Sequence, residues 1–155
     1  MRVETPCPGP NASIREFAIW WMRNKPFLVP EDPTDAVRSY SGVNGITLFR
    51  QEPFQVQLFI VKPNRSSGRH AHPNIDSIEY GLAGADTFES DRNFRLHGLI
   101  CVAPNEMHTA HADEKGGAFI SIQKWLNGVK PSSVELDWTG GPMDQEHASF
   151  LGAPI

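Results

Sequence analysis

The chain predicts an all-β domain, and three observations carry that expectation. From Gly45 onward, apolar residues recur with period two in the short runs ITLFR, QVQLFIVK, SIEYGLAG, ADTFES, RLHGLICVA and AFISIQKW. These runs are rich in Val, Ile and Phe and are parted by turn-forming residues, the pattern of an antiparallel β-sandwich or barrel. The 13 Gly and 13 Pro among 155 residues exceed ordinary usage and suit many short strands joined by turns. A chain of this length is expected to form one domain around a real core. The barrel is placed at about residues 45–125, a leader and helix at 1–44, and a tail at 126–155.

Composition narrows the partners. An apolar fraction of 39% and a charged fraction of 21% are ordinary for a soluble protein. The net charge is −4 and no Lys/Arg cluster stands out. Nucleic acid or an anionic membrane would call for a basic footprint, so neither is expected as a partner. Cys101 sits in an apolar run and Cys7 in a Pro-rich leader, which reads as two thiols rather than one disulfide. MRVETPCPGP lacks the apolar core of a secretion signal, and no run approaches the length of a membrane helix; the expectation is a cytoplasmic protein. No G-x-S-x-G elbow supports a serine hydrolase.

Residues 1–12 read as an irregular leader. Ser13 then offers an N-cap, with Glu16 three residues later at capping-box spacing. Ile14, Phe17, Ala18, Trp21 and Met22 recur at helical intervals, so the spacing predicts a short amphipathic helix ending near Asn24, before Pro26. Phe17, Trp20 and Trp21 are expected to pack onto the barrel or a partner subunit. Residues 26–44, rich in Pro, Asp and Ser, read as a loop. Beyond them, Gln55, Gln57 and Phe59 alternate with Val56, Leu58 and Ile60, giving one polar-leaning and one apolar strand face. After Trp125 the period is lost. The tail is expected to hold two or three short elements that wrap the barrel or cross to a neighbouring chain.

The chemistry concentrates in GRHAHPNIDSIEYGLAG, residues 68–84. In an extended strand His70 and His72 project from the same face. Two adjacent imidazoles make half a metal site and call for a third donor. His108, in VAPNEMHTAH, supplies a candidate. His111 falls on the opposite parity from His108 and is set aside; His97 reads as packed and His147 as exposed. Asp76 reads as the polar end of the PNID turn, where Asn and Asp are at home. Arg50 and Arg69 could bind a substrate carboxylate, though no spacing singles them out.

Residues 45–125 resemble a cupin. That family's first motif runs Gly, five residues, His-x-His, three or four residues, Glu, six residues, Gly. Here His70-Ala71-His72 supplies the pair and Gly84 the closing glycine. APNEMH, ending at His108, is similar to the second motif. Asn64 stands where the first glycine is expected, and Asn105 replaces a glycine of the second motif, with Pro104 one position late and Ala112 where an asparagine is common. At the glutamate position stands Ser77, or Asp76 by the shorter spacing. Glu79 lies two residues beyond Ser77, on the same strand face and about 6–7 Å further along.

The resemblance implies a double-stranded β-helix, the jelly-roll barrel, often paired as a homodimer. It implies a divalent metal held by His70, His72 and His108, as in cupin-type enzymes with an all-histidine triad such as cysteine dioxygenase and the acetylacetone-cleaving dioxygenase. The metal implied is Fe(II), with Zn, Mn or Ni as alternatives, and the reaction an oxygenation of a small chelating metabolite. Glu79 then reads as a catalytic residue, a further ligand or a general base; its alternative reading is an ordinary outward strand charge. Two other functions stay open: a small-molecule-binding cupin without catalysis, and a Lewis-acid isomerase or lyase.

Overall fold

Period-two sequence becomes two antiparallel sheets. The computed structural model describes residues 5–26, 37–40, 43–66, 70–83, 88–90, 99–128 and 139–140, with the backbone alone at 37–40, 43–44, 70, 83, 88–90 and 139–140. One helix, α1 (Ile14–Asn24), precedes strands β1 (Val37–Tyr40), β2 (Val43–Gln51), β3 (Phe54–Val61), β4 (His70–Ala71) and β5 (Ile75–Ala83). They are followed by β6 (Phe88–Ser90), β7 (Leu99–Val102), β8 (His108–Ala110), β9 (Gly117–Trp125) and β10 (Thr139–Gly140). The larger sheet has the order β1-β2-β3-β9-β5-β7 and the smaller β10-β4-β8-β6. No helix among the described residues is long and apolar enough to cross a membrane.

The helix forms where its sequence signals stand. The Ser13 hydroxyl accepts from the Glu16 backbone N–H at 3.1 Å, and the Glu16 carboxylate accepts from the Ser13 N–H at 2.9 Å. Lys25 closes the helix in the left-handed region, its N–H bonded to the Trp21 carbonyl. Phe17, Trp20 and Trp21 bury against Phe49, Phe54, Val56, Ile78 and Ile122, with Phe17 and Phe54 stacked at 4.3 Å between centroids. The helix therefore covers part of the outer face of the larger sheet. Replacing Ser13 by Ala leaves the Glu16 N–H without its side-chain acceptor. We expect a loss of about 1 kcal/mol in urea unfolding.

The inner cluster joins the two sheets. Phe59, Val61, Ile100, Val102 and Phe119 of the larger sheet bury with Ala110 of the smaller and with Ala112. Phe59 and Phe119 stack at 5.2 Å, and the Phe59 ring lies so close over Gly45 that a Cβ there would stand 2.7 Å from its Cε1. Only glycine lets the ring approach the neighbouring backbone in this way.

Two expectations need correction. Residues 26–44 are not one loop: Val37–Tyr40 pairs antiparallel with Val43–Ile46, and β2 already begins at Val43. Four residues at a sheet edge carry too little period to announce a strand, and pairing with β2 decides the matter. Asp76 is not a turn residue. It is the second residue of β5, opposite Lys124 on β9. In the tail, Thr139–Gly140 returns to pair with Ala71 and His70 of β4. The rest of the tail, Gly84, Arg69, His97 and His147 lie outside the described residues.

Candidate functional site

β8 brings the histidines together. His70 on β4 lies directly opposite His108 in the ladder between the two strands, so the backbone register sets these residues side by side. The His70 side chain lies outside the described residues. His72 follows β4 at the start of a turn, half-buried, and its ring centroid is 5.0 Å from that of the buried His108 with the planes tilted by 52°. Two imidazoles on one ion, each about 2.0–2.1 Å from it through a ring nitrogen, have centroids roughly 5 Å apart. The observed pair fits that spacing.

The protonation of His108 also fits. Its Nδ1 lies 2.9 Å from the Glu106 carbonyl oxygen, which can only accept, so Nδ1 carries the hydrogen. The lone pair is then on Nε2, the arrangement in which a backbone carbonyl orients a ligating imidazole. Burial lowers the His108 pKa, against the smaller raising effects of the Glu106 carbonyl and carboxylate. The ring is held neutral, as a ligand must be. Among the described residues, no group of three or more His, Cys, Asp and Glu is gathered for a metal; two of the three histidines are described in full.

At two glycine positions of the resembled motifs this chain has asparagine. Asn64 has φ +56° and Asn105 φ +65°, both in the left-handed region, which asparagine enters more readily than most residues. The Asn105 N–H bonds the His72 carbonyl at 3.0 Å, tying the turn before β8 to the end of the histidine pair. Asn105→Gly is expected to leave stability nearly unchanged. Asn105→Ala should cost about 1 kcal/mol, since alanine pays the full left-handed penalty. Chemical denaturation of the two variants side by side checks this.

On the larger sheet, the polar-leaning face turns inward. Cross-strand register forms two rows: Arg50, Gln55, Gln123, Ser77 and Val102; and Thr47, Gln57, Ser121, Glu79 and Ile100. Thr47, Gln55, Gln57, Ser77, Glu79, Ser121 and Gln123 are all buried. Glu79 Oε1 accepts from Ser77 Oγ at 2.8 Å and from Ser121 Oγ at 2.9 Å. Its Oε2 is buried with no hydrogen-bond partner. Burial pushes the Glu79 pKa up to about 7, against the two hydroxyl bonds that lower it. Ser77, at the glutamate position of the resembled motif, thus serves Glu79 by a hydrogen bond.

The other candidates are placed elsewhere. Asp76 and Tyr80 alternate with Ser77 and Glu79 along β5 and so project from the opposite face. Asp76 is held above the usual carboxylate range by burial, partly offset by Lys124. His111 alternates with the buried Ala110 and Ala112, in a bridge to Ser66. Arg50 gives its Nε–H to Gln55 Oε1 at 2.8 Å. No disulfide joins Cys7 and Cys101. The polar-leaning face expected from Gln55 and Gln57 is the inward one, and Ser121 and Gln123 of β9, which are not singled out by the sequence reading, join it. Their shared parity in SIQ is the signal that could have found them.

No protein-family model matches the chain, and no curated protein matches it in sequence. Solved structures do match in fold. The polyketide cyclase RemF from Streptomyces resistomycificus superposes with a TM-score of 0.55 at 15% identity, over 82% of this chain and 94% of that one. KdgF from Halomonas sp. gives a TM-score of 0.52 at 18% identity, over 63% and 92%. A cupin-2 domain from Rhodospirillum rubrum gives 0.52 at 15% identity, over 82% and 87%. With two antiparallel sheets closed over a shared interior and these neighbours, the chain has the cupin fold, a double-stranded β-helix.

Proposed function

We propose that the protein is a metal-dependent enzyme acting on a small chelating metabolite, with His70, His72 and His108 holding a divalent ion and Glu79 as the acid or base beside it. The observation that supports this most is His108, kept neutral by burial and oriented through Nδ1 so that Nε2 bears the lone pair. A divalent ion held by these three imidazoles would supply Lewis acidity toward a chelating substrate and, as Fe(II), the capacity to activate O₂. Three neutral ligands leave the site its full positive charge, which favours an anionic substrate. The buried Ser77 and Ser121 hydroxyls hold Glu79 Oε1, and Glu79 moves a proton at Oε2.

Fe(II) and oxygenation of the substrate is the first reading of the reaction. A second, an isomerase, lyase or cyclase with Zn, Mn or Ni, is favoured by Glu79, whose pKa of about 7 suits proton transfer at neutral pH. Metal-free protein loaded in turn with Fe(II), Zn, Mn and Ni, and offered diketones, thiols and hydroxy acids, separates them. Oxygen uptake with iron alone supports the first. Exchange of a substrate C–H for deuterium without oxygen uptake supports the second. Substrate binding that survives chelation, with neither reaction, would replace both by a non-catalytic binding protein. The proposal also takes the chain to be a cytoplasmic homodimer, with no nucleic-acid or membrane partner. The second copy would cover the outer sheet face beyond α1, where Leu99 is 56% and Ile60 41% exposed. Sedimentation of the wild type against Leu99→Asp tests that pairing.

A further inference from the structure

The hydrogen bonds across the inner face run one way. Arg50 has donors only, so Gln55 must turn its oxygen to Arg50 Nε. The Gln55 amide nitrogen then faces Gln123 Oε1, to which it donates at 3.0 Å. That leaves the Gln123 nitrogen to donate to Gln57 Oε1 at 3.1 Å and Ser121 Oγ at 3.0 Å. Ser121, already accepting, sends its own hydrogen to Glu79 Oε1 at 2.9 Å. Neither glutamine can flip without setting donor against donor. One guanidinium thus sets the polarity of four links across β2, β3, β9 and β5. With Ser77 also donating to Oε1, that oxygen holds two donors while Oε2 holds none.

We propose that Arg50 is a positioning residue for Glu79: through Gln55, Gln123 and Ser121 it fixes Oε1 as the acceptor and leaves Oε2 as the oxygen that bears the exchangeable proton. When Oε2–H passes its proton to an oxygen of a bound ligand, the O–H bond broken on Glu79 is replaced by one on the ligand. The carboxylate charge is then held on Oε1 by two hydroxyls. The ligand half of this rests on the proposed function; the chain of bonds does not. Among the described residues, the charged or titratable groups on the inner faces around Glu79 are Arg50 on β2 and His108 on β8, with His72 beside it. β3, β7 and β9 turn only Gln, Ser and apolar side chains inward.

The test follows the Glu79 carboxyl by carbon NMR in metal-free protein labelled at the glutamate δ-carbon, the Glu79 signal being the one lost in Glu79→Gln. Removing Arg50 lets Gln55 and Gln123 invert, so Ser121 turns its hydrogen to Gln123 and Glu79 loses a donor. Arg50→Met is expected to raise the titration midpoint by about one unit, a tenfold change in proton affinity. Arg50→Lys, still a pure donor, should restore it. Ser121→Ala should raise the midpoint directly, and Arg50→Met added to Ser121→Ala should then change nothing. An unmoved midpoint in Arg50→Met overturns the proposal. So does a shift that persists undiminished in the Ser121→Ala background, which would mean the charge of Arg50 acts through space. If Arg50→Met does not fold, Gln123→Met breaks the same chain and carries the same expectation. Because no metal is present, loss of the metal reading would leave these results standing.

Discussion

Unfolded in urea without metal, the wild type is expected to lose roughly 2–3 kcal/mol of stability relative to Glu79→Gln as pH rises from 5 to 8. The Glu79 pKa is pushed up to about 7 in the folded protein from 4.5. A raised acid favours folding fully below the unfolded value, and the benefit disappears as pH climbs through the folded one. Between the two, the native state binds the extra proton, so stability falls with pH. Above about 7 the carboxylate is buried with Oε2 unpaired and the penalty is complete. Glutamine keeps the shape without the charge, so the variant is expected to be the more stable protein at pH 8. His108 works in the opposite direction, since its lowered pKa gives stability that is lost as pH falls through the folded value. That contribution is common to both proteins and cancels in the difference. A difference that stays flat across this range would mean that Glu79 titrates as an ordinary surface carboxylate.

A second large effect is expected from the metal itself. A divalent ion that binds only the folded protein stabilises it by about 4 kcal/mol at a thousandfold excess over its Kd. Thermal unfolding of the wild type with and without added metal should show that gain, and His108→Ala should show almost none. His108 is chosen because it is buried and its Nδ1 bond to the Glu106 carbonyl fixes ring and tautomer together. Merely removing a partner of a ligand costs about 10–100-fold in affinity, and removing the ligand costs more. His111→Ala, three residues away on the other parity, is the matched control and should keep the full gain. Equal loss in both variants would contradict the assignment.

Much of this protein is legible in its sequence because local rules and tertiary needs agree there. Ser13 and Glu16 announce the helix, and the QVQLFIV and AFISIQKW alternations announce the two central strands. The histidine pair singles out the β4 segment as a candidate ligand pair, although nothing local says that residue 70 will stand opposite His108. That pairing joins segments 38 residues apart and depends on the closure of the whole barrel. Strands of two to four residues, such as β4, β8 and Val37–Tyr40, are too short to carry a period and exist through their partners. The inner polar face hides for a different reason. Gln and Ser alternating with Val and Ile usually mark a solvated strand face, whereas here the helix covers the apolar side and the polar side closes over the interior. The Ser77 position shows the same limit: the motif reads it as a missing glutamate, and only register reveals that it holds one two residues on.

Elemental analysis of untagged protein, run beside a His70→Ala/His108→Ala double variant, tests the central claim most directly. The histidine site predicts close to one divalent metal per chain in the wild type and almost none in the variant. Wild-type protein that stays metal-free after reloading, or a double variant that keeps its metal, would contradict it.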